Sequence, residues 1–585
     1  MILQALTRHY ETLVSRGEIA APGWGPVKVS YALCIAADGT LERVVSVQTE
    51  QQRGKKTVLA PQILTLPAPI KRASNVAANF LCDNAGYILG VDNKGKPART
   101  AQCFAACKAL HEQLLQAVDT PAAQAVLSFF QNWNPAQAQT HPALTEVWED
   151  ILAGANLIFR HANAYVHDDP AVRQAWERHY NTASDAPAGL CLVTGETAPI
   201  ESTHPAIKNV AGAQSSGAAL VSFNAPAFCS YGKEQNFNAP TSQYAAFAYT
   251  AALNHLLTER DHVYRIGDAT VVCWAENGAP AYNILFGGAT FGAPAAYSDT
   301  DFFGMVKALC AGQPVTFEEE KLDPNTTFYV LGLSPNAARL SVRFFLRNSF
   351  GAFLENIAAH QERLGIARPS YDKADTLSVW RLLNETVNQN ARDKSPAPNL
   401  AGETVRAILN NTRYPATLYN AALLRIFAER RVTHGRAAII KAYLLQNHSS
   451  ITKLRKEIPM PVNYEQEGSA FLLGCLFALL EKIQITAIKG INQTLVDKYL
   501  SSAASTPSLV FDSLLEKSRY HLHKIGNQYG LYAELQNLLT VYHQKQPTGF
   551  PAHLSHIERG DFMVGYYIKK QELFPPQNQQ NKEEK

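Results

Sequence analysis

Apolar and polar residues follow two different patterns along the chain. Up to about Arg368, short segments of alternating apolar and polar residues, rich in β-branched side chains, lie between segments with apolar residues every three or four positions. The first pattern predicts strands and the second predicts amphipathic helices. After the segment DKSPAPNLAGE the strand pattern almost vanishes. We therefore expect an α+β N-terminal and middle region with mixed and antiparallel sheets, followed by an all-α C-terminal helical bundle.

Single elements can be placed on the same grounds. The segments KVSYALCIA and LERVVSVQ are predicted to pair as strands across a turn at Ala37 to Thr40. The N-terminus predicts an amphipathic helix with Leu3, Leu6, Tyr10 and Leu13 on one side. Further helices are predicted over residues 101–118, 121–133, 171–181, 244–257, 404–411, 416–431, 436–446, 469–488, 493–501 and 507–520.

The chain of 585 residues is too long for one hydrophobic core. We expect an N-terminal α+β domain (1–185), a middle α+β region (186–368) and a helical bundle (369–585). No apolar run reaches the roughly 18 residues of a spanning helix, since the longest candidate stops at Glu481. Nine scattered cysteines and the lack of a recognisable signal peptide predict a cytoplasmic protein outside the membrane.

Charge adds two candidate surfaces. The net charge is +3, but residues 401–585 carry 22 Lys and Arg against 15 Asp and Glu. Cations in this part could form a stripe along a helix facing phosphates, or a solvated helix face. Three arginines also recur every four residues in a predicted strand, which would place them on one face as a phosphate-binding row or a solvated sheet face. The residues are Arg425, Arg430, Arg431, Arg436 and Lys441 for the helix, and Arg339, Arg343 and Arg347 for the strand.

The segment GAQSSGAALVSFNAPAFCSYGKEQNFNAP, residues Gly212 to Pro240, is crowded with small, hydroxyl and amide side chains. Such side chains suit the reading of base edges or a polar ligand, although a long loop could also satisfy them internally. Phosphate-binding glycine motifs and zinc-ligand spacings are absent from the sequence, so no cofactor or metal is expected. Ser230 and Lys233 match the S-x-x-K pattern of some serine hydrolases, which leaves that activity as an alternative.

Several long segments resemble one family. The segment 212–240, with AAFAYTAALNHLL, RIGDATVVCWA and VLGLSPNAARLSVRFFLRNSFGAFLENI, is similar to the large subunit of the type I-C CRISPR surveillance complex, Cascade. The start MILQALTRHYE, the early loop KRASNVAANFLCDNAGYILG, and the later GRAAIIKAYL and GSAFLLGCLFALLEKIQ also look like this family. The resemblance covers nearly the whole chain.

The resemblance implies a non-catalytic, RNA-guided DNA-binding subunit. Members of the family recognise the protospacer-adjacent motif in duplex DNA, help to unwind the target and stabilise the R-loop, and dock a separate helicase-nuclease. The implied partners are CRISPR RNA, double-stranded target DNA with its displaced strand, the backbone and handle-processing subunits, the small subunits and the helicase-nuclease. Base pairing with the guide would read the rest of the target. A structural scaffold without base reading remains an alternative.

Within that framework, cations would hold phosphates and amides could reach base edges. The resemblance also implies that the C-terminal bundle is produced separately as a small subunit, and Met460 is the internal start that this sequence offers; the alternative is an ordinary core or loop methionine. The residues expected to recognise the DNA motif are Lys71, Arg72, Ser74, Asn79, Asn84, Gln214, Ser215, Ser216, Asn224, Lys233, Gln235, Asn236 and Asn238.

Overall fold

The computed structural model describes residues 1–53, 56–70, 72, 76–93, 95–182, 186–259, 263–292, 299–369, 372, 376–392, 394–397, 399–526 and 530–574. The chain forms two compact units. The first consists of residues 3–205 and 222–252, and the second of residues 206–221 and 253–585. The segment 212–240 is therefore divided between the two units.

The first unit combines small sheets with helices. Its strands are β1 (Trp24–Val29), β2 (Tyr31–Ile35), β3 (Leu41–Ser46), β4 (Thr49–Arg53), β5 (Lys56–Ala60), β6 (Gln62–Pro67), β7 (Cys82–Asn84), β8 (Asn156–His161), β9 (Ala164–Tyr165), β10 (Ala188–Leu190) and β11 (Thr197–Pro199). Its helices are α1 (Ile2–Ser15), α2 (Ala85–Ile88), α3 (Pro97–Leu115), α4 (Pro121–Asn132), α5 (Trp148–Leu152), α6 (Pro170–Thr182) and most of α7 (Gln243–Leu256).

The main sheet of this unit has the order β3-β2-β8-β7, with β9 paired to β8. Strand β2 is parallel to β8 and antiparallel to β3, and the β2–β3 pair is the predicted hairpin. Gly39 makes its turn possible. Its φ is +83°, and a Cβ there would lie 2.2 Å from the backbone nitrogen of Phe129, so only glycine fits.

Helices α3 and α4 contribute to the core under this sheet. Cys103 and Cys107 are both buried there, and His111 lies among aromatic rings. The backbone N–H of Leu81 donates to Nε2 of His111 at 3.0 Å, and burial lowers the pKa of this histidine to about 4. His111 is therefore a neutral packing residue that ties the early loop to the core.

The second unit holds an antiparallel sheet with the order β12-β13-β16-β17 and most of the helices. Its strands are β12 (Val263–Ile266), β13 (Ala269–Ala275), β14 (Val315–Phe317), β15 (Glu320–Leu322), β16 (Thr327–Asn336) and β17 (Arg339–Ser349). Its helices are α8 (Ala281–Phe291), α9 (Asp299–Cys310), α10 (Phe350–Leu364), α11 (Val379–Asn384), α12 (Leu400–Leu409), α13 (Ala416–Glu429), α14 (His434–Asn447), α15 (Ser469–Ala487), α16 (Leu495–Ser505), α17 (Phe511–Ile525), α18 (Leu531–Lys545) and α19 (His556–Leu573).

Helix α15 is the central apolar helix of the bundle. By length and composition it could cross a membrane, but 78% of its apolar window is buried against the rest of the protein, which is typical of a core helix. It runs on past Glu481, which is buried and accepts a hydrogen bond from the Tyr566 hydroxyl at 2.7 Å. Gly474 and Gly565 let α15 and α19 touch through their backbones, because a Cβ at either would lie about 2 Å from a carbonyl oxygen of the other helix.

The predicted fold class is confirmed: α+β regions precede a C-terminal region of helices. On α1, Leu6, Tyr10 and Leu13 are buried and Leu3 is partly buried. The helix predicted over 507–520 begins later, at Phe511, because a 3-10 turn occupies Pro507–Leu509. One hydrophobic cluster joins the sheet of the second unit to the C-terminal helices. The division at 185 and 368 stays a prediction.

Candidate nucleic-acid interface

The early loop is organised around Asp83, whose side chain is 2% exposed. Arg72 forms a two-pronged ion pair with this carboxylate, with Nη1 at 2.9 Å from Oδ1 and Nη2 close to Oδ2. The guanidinium also lies 3.9 Å from the centre of the Tyr87 ring. Arg72 is thus already paired within its own loop. Its guanidinium group helps to hold the loop together through Asp83 and Tyr87.

Two amides of the early loop also make internal contacts. Oδ1 of Asn79 accepts from the Ile70 N–H at 2.9 Å, and the Asn79 N–H donates to Asp83 at 3.0 Å. Oδ1 of Asn84 caps α2 by accepting from Gly86 N–H at 3.0 Å. These contacts stabilise the loop. Lys71 and Ser74, the other two predicted residues, lie outside the described residues.

Residues 206–221 form a hairpin-like excursion fixed to the sheet of the second unit. Ile207 and Ala218 form an antiparallel bridge, and Ala219 bonds through its N–H and C=O to Ala338 and Leu340, at the start of edge strand β17. Gly217 has φ +98°, and a Cβ there would lie 2.8 Å from the Ile207 carbonyl oxygen. The excursion, here called the 206–221 hairpin, therefore lies beside Arg339.

The tip of the 206–221 hairpin carries the predicted amide and hydroxyl groups. Gln214, Ser215 and Ser216 are all exposed, on a turn closed by a hydrogen bond from Gly217 N–H to the Gln214 carbonyl oxygen. Lys208 is exposed too, one residue beyond the bridge that pairs Ile207 with Ala218. Lys208 was not among the predicted residues because a single lysine in HPAIKNV belongs to no pattern; the Ile207–Ala218 bridge places it at the base of the hairpin.

The three arginines of β17 do not share one face, contrary to the prediction. A β-bulge interrupts the pairing, since Gly332 faces Phe344 while Leu333 faces Val342, leaving Arg343 as the extra residue. Arg343 Nη2 bonds to Asp268 at 2.6 Å and to Ser334. Arg347 pairs across the strands with Tyr329 and lies over its ring, on the opposite side from Phe344. In a regular strand, side chains four residues apart point to the same face. The extra residue in the bulge breaks this alternation, so Arg339 and Arg347 lie on opposite faces.

Residues 222–240 belong to the first unit, and their C-terminal end is fixed beside Cys191. The Leu192 N–H donates to the Pro240 carbonyl oxygen at 2.9 Å, and the Ser242 N–H donates to the sulfur of Cys191 at 3.2 Å. Burial alone would raise the pKa of this thiol, but hydrogen bonds from Ser242 and Thr194 lower it to about 7. The thiol thus acts as an acceptor that holds the end of the segment.

The predicted amides of this part have different surroundings. Asn236 is 2% exposed, and its Oδ1 has no hydrogen-bond partner among the described residues. Asn238 accepts from Ser230 N–H at 2.9 Å and donates to the carbonyl oxygens of Lys233 and Gln235 at 3.1 and 2.9 Å. Asn238 therefore stabilises the turn of residues 230–238, and Asn236 lies beneath the surface.

The remaining predicted side chains of this segment, Asn224, Lys233 and Gln235, are exposed. Ser230 is exposed as well. A lysine that activates a serine needs a desolvated setting that depresses its pKa. The exposed position of Lys233 does not provide one, which weighs against the hydrolase alternative.

The five cations of the helical region do not form one exposed stripe. Arg436 is 2% exposed and bonds to the side chain of Glu429 and the carbonyl oxygens of Glu385 and Arg431. Lys441 is fully buried and donates to three backbone carbonyl oxygens. Arg425 is mostly buried beside Glu429. Burial also lowers the pKa of Lys441 to about 8. Only Arg430 and Arg431 are exposed.

Met460 lies in the loop between α14 and α15 and is 46% exposed. The helices after it share buried polar contacts: Lys569 contacts Glu534 and Glu572, and Tyr566 contacts Glu481. Helix α19 also contacts residues before Met460, since the Tyr419 hydroxyl donates to the His556 carbonyl oxygen at 2.6 Å. The helices after Met460 therefore contact one another and also share one hydrophobic cluster with the preceding helices.

Among the described residues, no group of three or more His, Cys, Asp or Glu side chains could hold a metal ion. In comparisons with known proteins, the model of a family described as CRISPR-associated protein (Cas_Csd1) matches residues 6–574. No curated protein matches the chain.

Proposed function

Because the chain belongs to the Cas_Csd1 family of CRISPR-associated proteins, we propose that it is the large subunit of a type I-C CRISPR surveillance complex. In that role it recognises the protospacer-adjacent motif, helps to unwind the duplex and stabilise the R-loop, and docks the helicase-nuclease. It works without catalytic chemistry of its own, in the cytoplasm, with CRISPR RNA and the other subunits. Specificity beyond the motif comes from base pairing.

The proposed recognition of the DNA motif is supported mainly by the structure of the 206–221 hairpin. Its turn presents Gln214, Ser215 and Ser216 to solvent, and its base is fixed to an edge strand beside Arg339. Amide and hydroxyl groups can both donate and accept hydrogen bonds, as base edges require, while Lys208 and Arg339 can face phosphates. Backbone hydrogen bonds fix the turn, so the backbone that carries these side chains is in place before DNA arrives.

The experiment compares Gln214→Ala with Asn236→Ala in the assembled complex. Binding to duplexes with and without the flanking motif is measured by gel shift at two salt concentrations. We expect Gln214→Ala to reduce the preference for the motif about tenfold, the loss expected from one good base-edge contact. Asn236→Ala is the matched control, because its amide is buried; thermal unfolding shows whether this variant is folded.

Equal losses on motif-bearing and motif-free DNA for Gln214→Ala would contradict base reading by the hairpin. A wild-type complex that binds all duplexes alike, with salt dependence only, would favour the structural scaffold. Activity of the isolated protein on an ester or amide, lost in Ser230→Ala, would favour the hydrolase.

The separate small subunit is part of the same proposal. The buried polar contacts among the helices after Met460 support this part of the proposal. Changing the Met460 codon to one that cannot start translation should remove the short product and leave the full-length chain. A short product of unchanged amount would exclude Met460 as its start.

A further inference from the structure

Tyr231 is the most exposed large apolar side chain among the described residues, at 99% of its free surface. It belongs to the four-residue turn Ser230-Tyr231-Gly232-Lys233, closed by a hydrogen bond from Lys233 N–H to the Ser230 carbonyl oxygen at 3.1 Å. The phenol ring makes almost no contact with the unit that carries it, so it contributes nothing to the core.

The backbone at this turn is unfavourable for tyrosine. Tyr231 has φ +55° and Gly232 has φ +68°, so both central residues are left-handed, as in a type I′ turn. Asn-Gly is the preferred pair for this turn, and side chains other than Asn, Asp and Gly adopt the left-handed region at a cost in free energy. A tyrosine that is strained and yet makes no internal contact points to a role outside the folded unit.

The turn is also held in place. The Asn238 side chain makes three hydrogen bonds to the backbone of residues 230–235, and Gln235 is left-handed as well, with φ +46°. The backbone that carries the Tyr231 ring is therefore held by hydrogen bonds. It loses little conformational freedom when another group stacks on the ring.

The neighbours of Tyr231 favour a nucleobase over a protein partner. Lys233, Glu234 and Gln235 are exposed and polar; of the nearby aromatic residues, Phe228 is 39% exposed and Phe237 is partly buried. Protein hot spots form at the centre of well-packed, desolvated patches, whereas base stacking needs one ring face and a nearby cation for a phosphate. This turn offers an exposed ring face and a nearby cation, as base stacking requires.

We propose that Tyr231 stacks on a base of the target DNA where the duplex is first opened. The inference rests on the proposed function and adds to it one named contact. The ring covers the face of a base that has lost its neighbour, and Lys233 holds the adjoining phosphate. Because the stack forms only when a base is unstacked, it favours the opened over the closed duplex.

The test uses the assembled complex with Tyr231→Asn and Tyr231→Trp. A target with 2-aminopurine in the first base pair beside the motif reports opening as a rise in fluorescence. Tyr231→Asn should reduce the amount or rate of opening about tenfold, as expected for the loss of one base–aromatic stack, and Tyr231→Trp should retain it. Tyr520→Ala, which removes another exposed tyrosine ring, should leave opening unchanged.

The asparagine variant should not unfold the protein, because Asn-Gly suits a type I′ turn; its thermal midpoint should equal or exceed that of the wild type. Opening by Tyr231→Asn at the wild-type level would overturn the stacking role. Loss of a subunit from the Tyr231→Asn complex on size-exclusion chromatography would also overturn it, in favour of a protein contact. If the wild-type complex opens no duplex, the proposed function itself fails.

Discussion

The turn 230–238 and helix α14 both carry cations, but the cations have opposite surroundings. In the turn, Asn238 satisfies the backbone and leaves Tyr231 and Lys233 outside. In the helix, Arg436 and Lys441 are buried, and their charged groups donate hydrogen bonds to carbonyl oxygens and to Glu429. The count of cations in a segment therefore does not measure the charge that it offers to a nucleic acid.

The largest expected effect concerns the buried lysine. Lys441→Met should lower the free energy of unfolding by roughly 3–4 kcal/mol, because one buried and two partly buried carbonyl oxygens lose their donor. Thermal unfolding of the full chain measures it. The matched control is Lys233→Met, on the exposed turn, which should change stability by less than about 0.5 kcal/mol. Equal thermal midpoints for the two variants would contradict the view that the buried lysine stabilises the fold and the exposed one does not.

A second interior charge gives a pH-dependent effect. Burial raises the pKa of Asp561 from 3.8 to about 6, and the Thr452 hydroxyl donates to it at 2.8 Å. Above pH 6 the folded protein bears the cost of a buried carboxylate, about 3 kcal/mol at most, and below pH 3.8 this cost is absent. Asp561→Asn should therefore raise the thermal midpoint at pH 7.5, with a gain that disappears towards pH 4.

The gain should be followed from pH 4 to pH 8 beside the wild type. A gain of the same size at every pH would mean that asparagine packs better for reasons other than charge.

The exposed cations of the same region should behave differently. Arg430 and Arg431 lie at the end of α13, and Arg430 has φ +52°, which asparagine tolerates. The double variant Arg430→Asn, Arg431→Ala should reduce the slope of log affinity for DNA against log salt concentration by about 2. Arg425→Ala, beside Glu429 and mostly buried, is the control and should leave the slope unchanged. An unchanged slope in the double variant would contradict phosphate contact at this site.

The smallest expected effect concerns the brace of the turn. Asn238→Ala removes three hydrogen bonds near the surface and should cost about 1 kcal/mol or less. Amide hydrogen exchange at Ser230, whose N–H donates to Asn238, should become faster. The control is Asn224→Ala, at an exposed asparagine elsewhere in the segment, which should leave that exchange rate as it is. Protection of Ser230 in both variants would mean that the turn is held by other contacts.

The fold class and most helices could be predicted because hydrophobic periodicity is local. The same pattern also contained a signal for Lys441, which stands in AAIIKAYLL with apolar residues on both sides, as expected of a lysine on a buried helix. The bulge at Arg343 and the bridge between Ile207 and Ala218 depend on how two segments pair across a turn, which the spacing of residues along either segment does not fix. No spacing rule within one segment could have shown them.

The backbone contact between α15 and α19 has a consequence for synthesis. The ribosome makes α15 long before α19, so a helix apolar enough to cross a membrane lacks its last partner until almost the whole protein has been translated. A chain cut short before His556 would keep a helix apolar enough for a membrane and lack the glycine-lined surface that covers it. Nascent and truncated chains should therefore be the forms that need a chaperone.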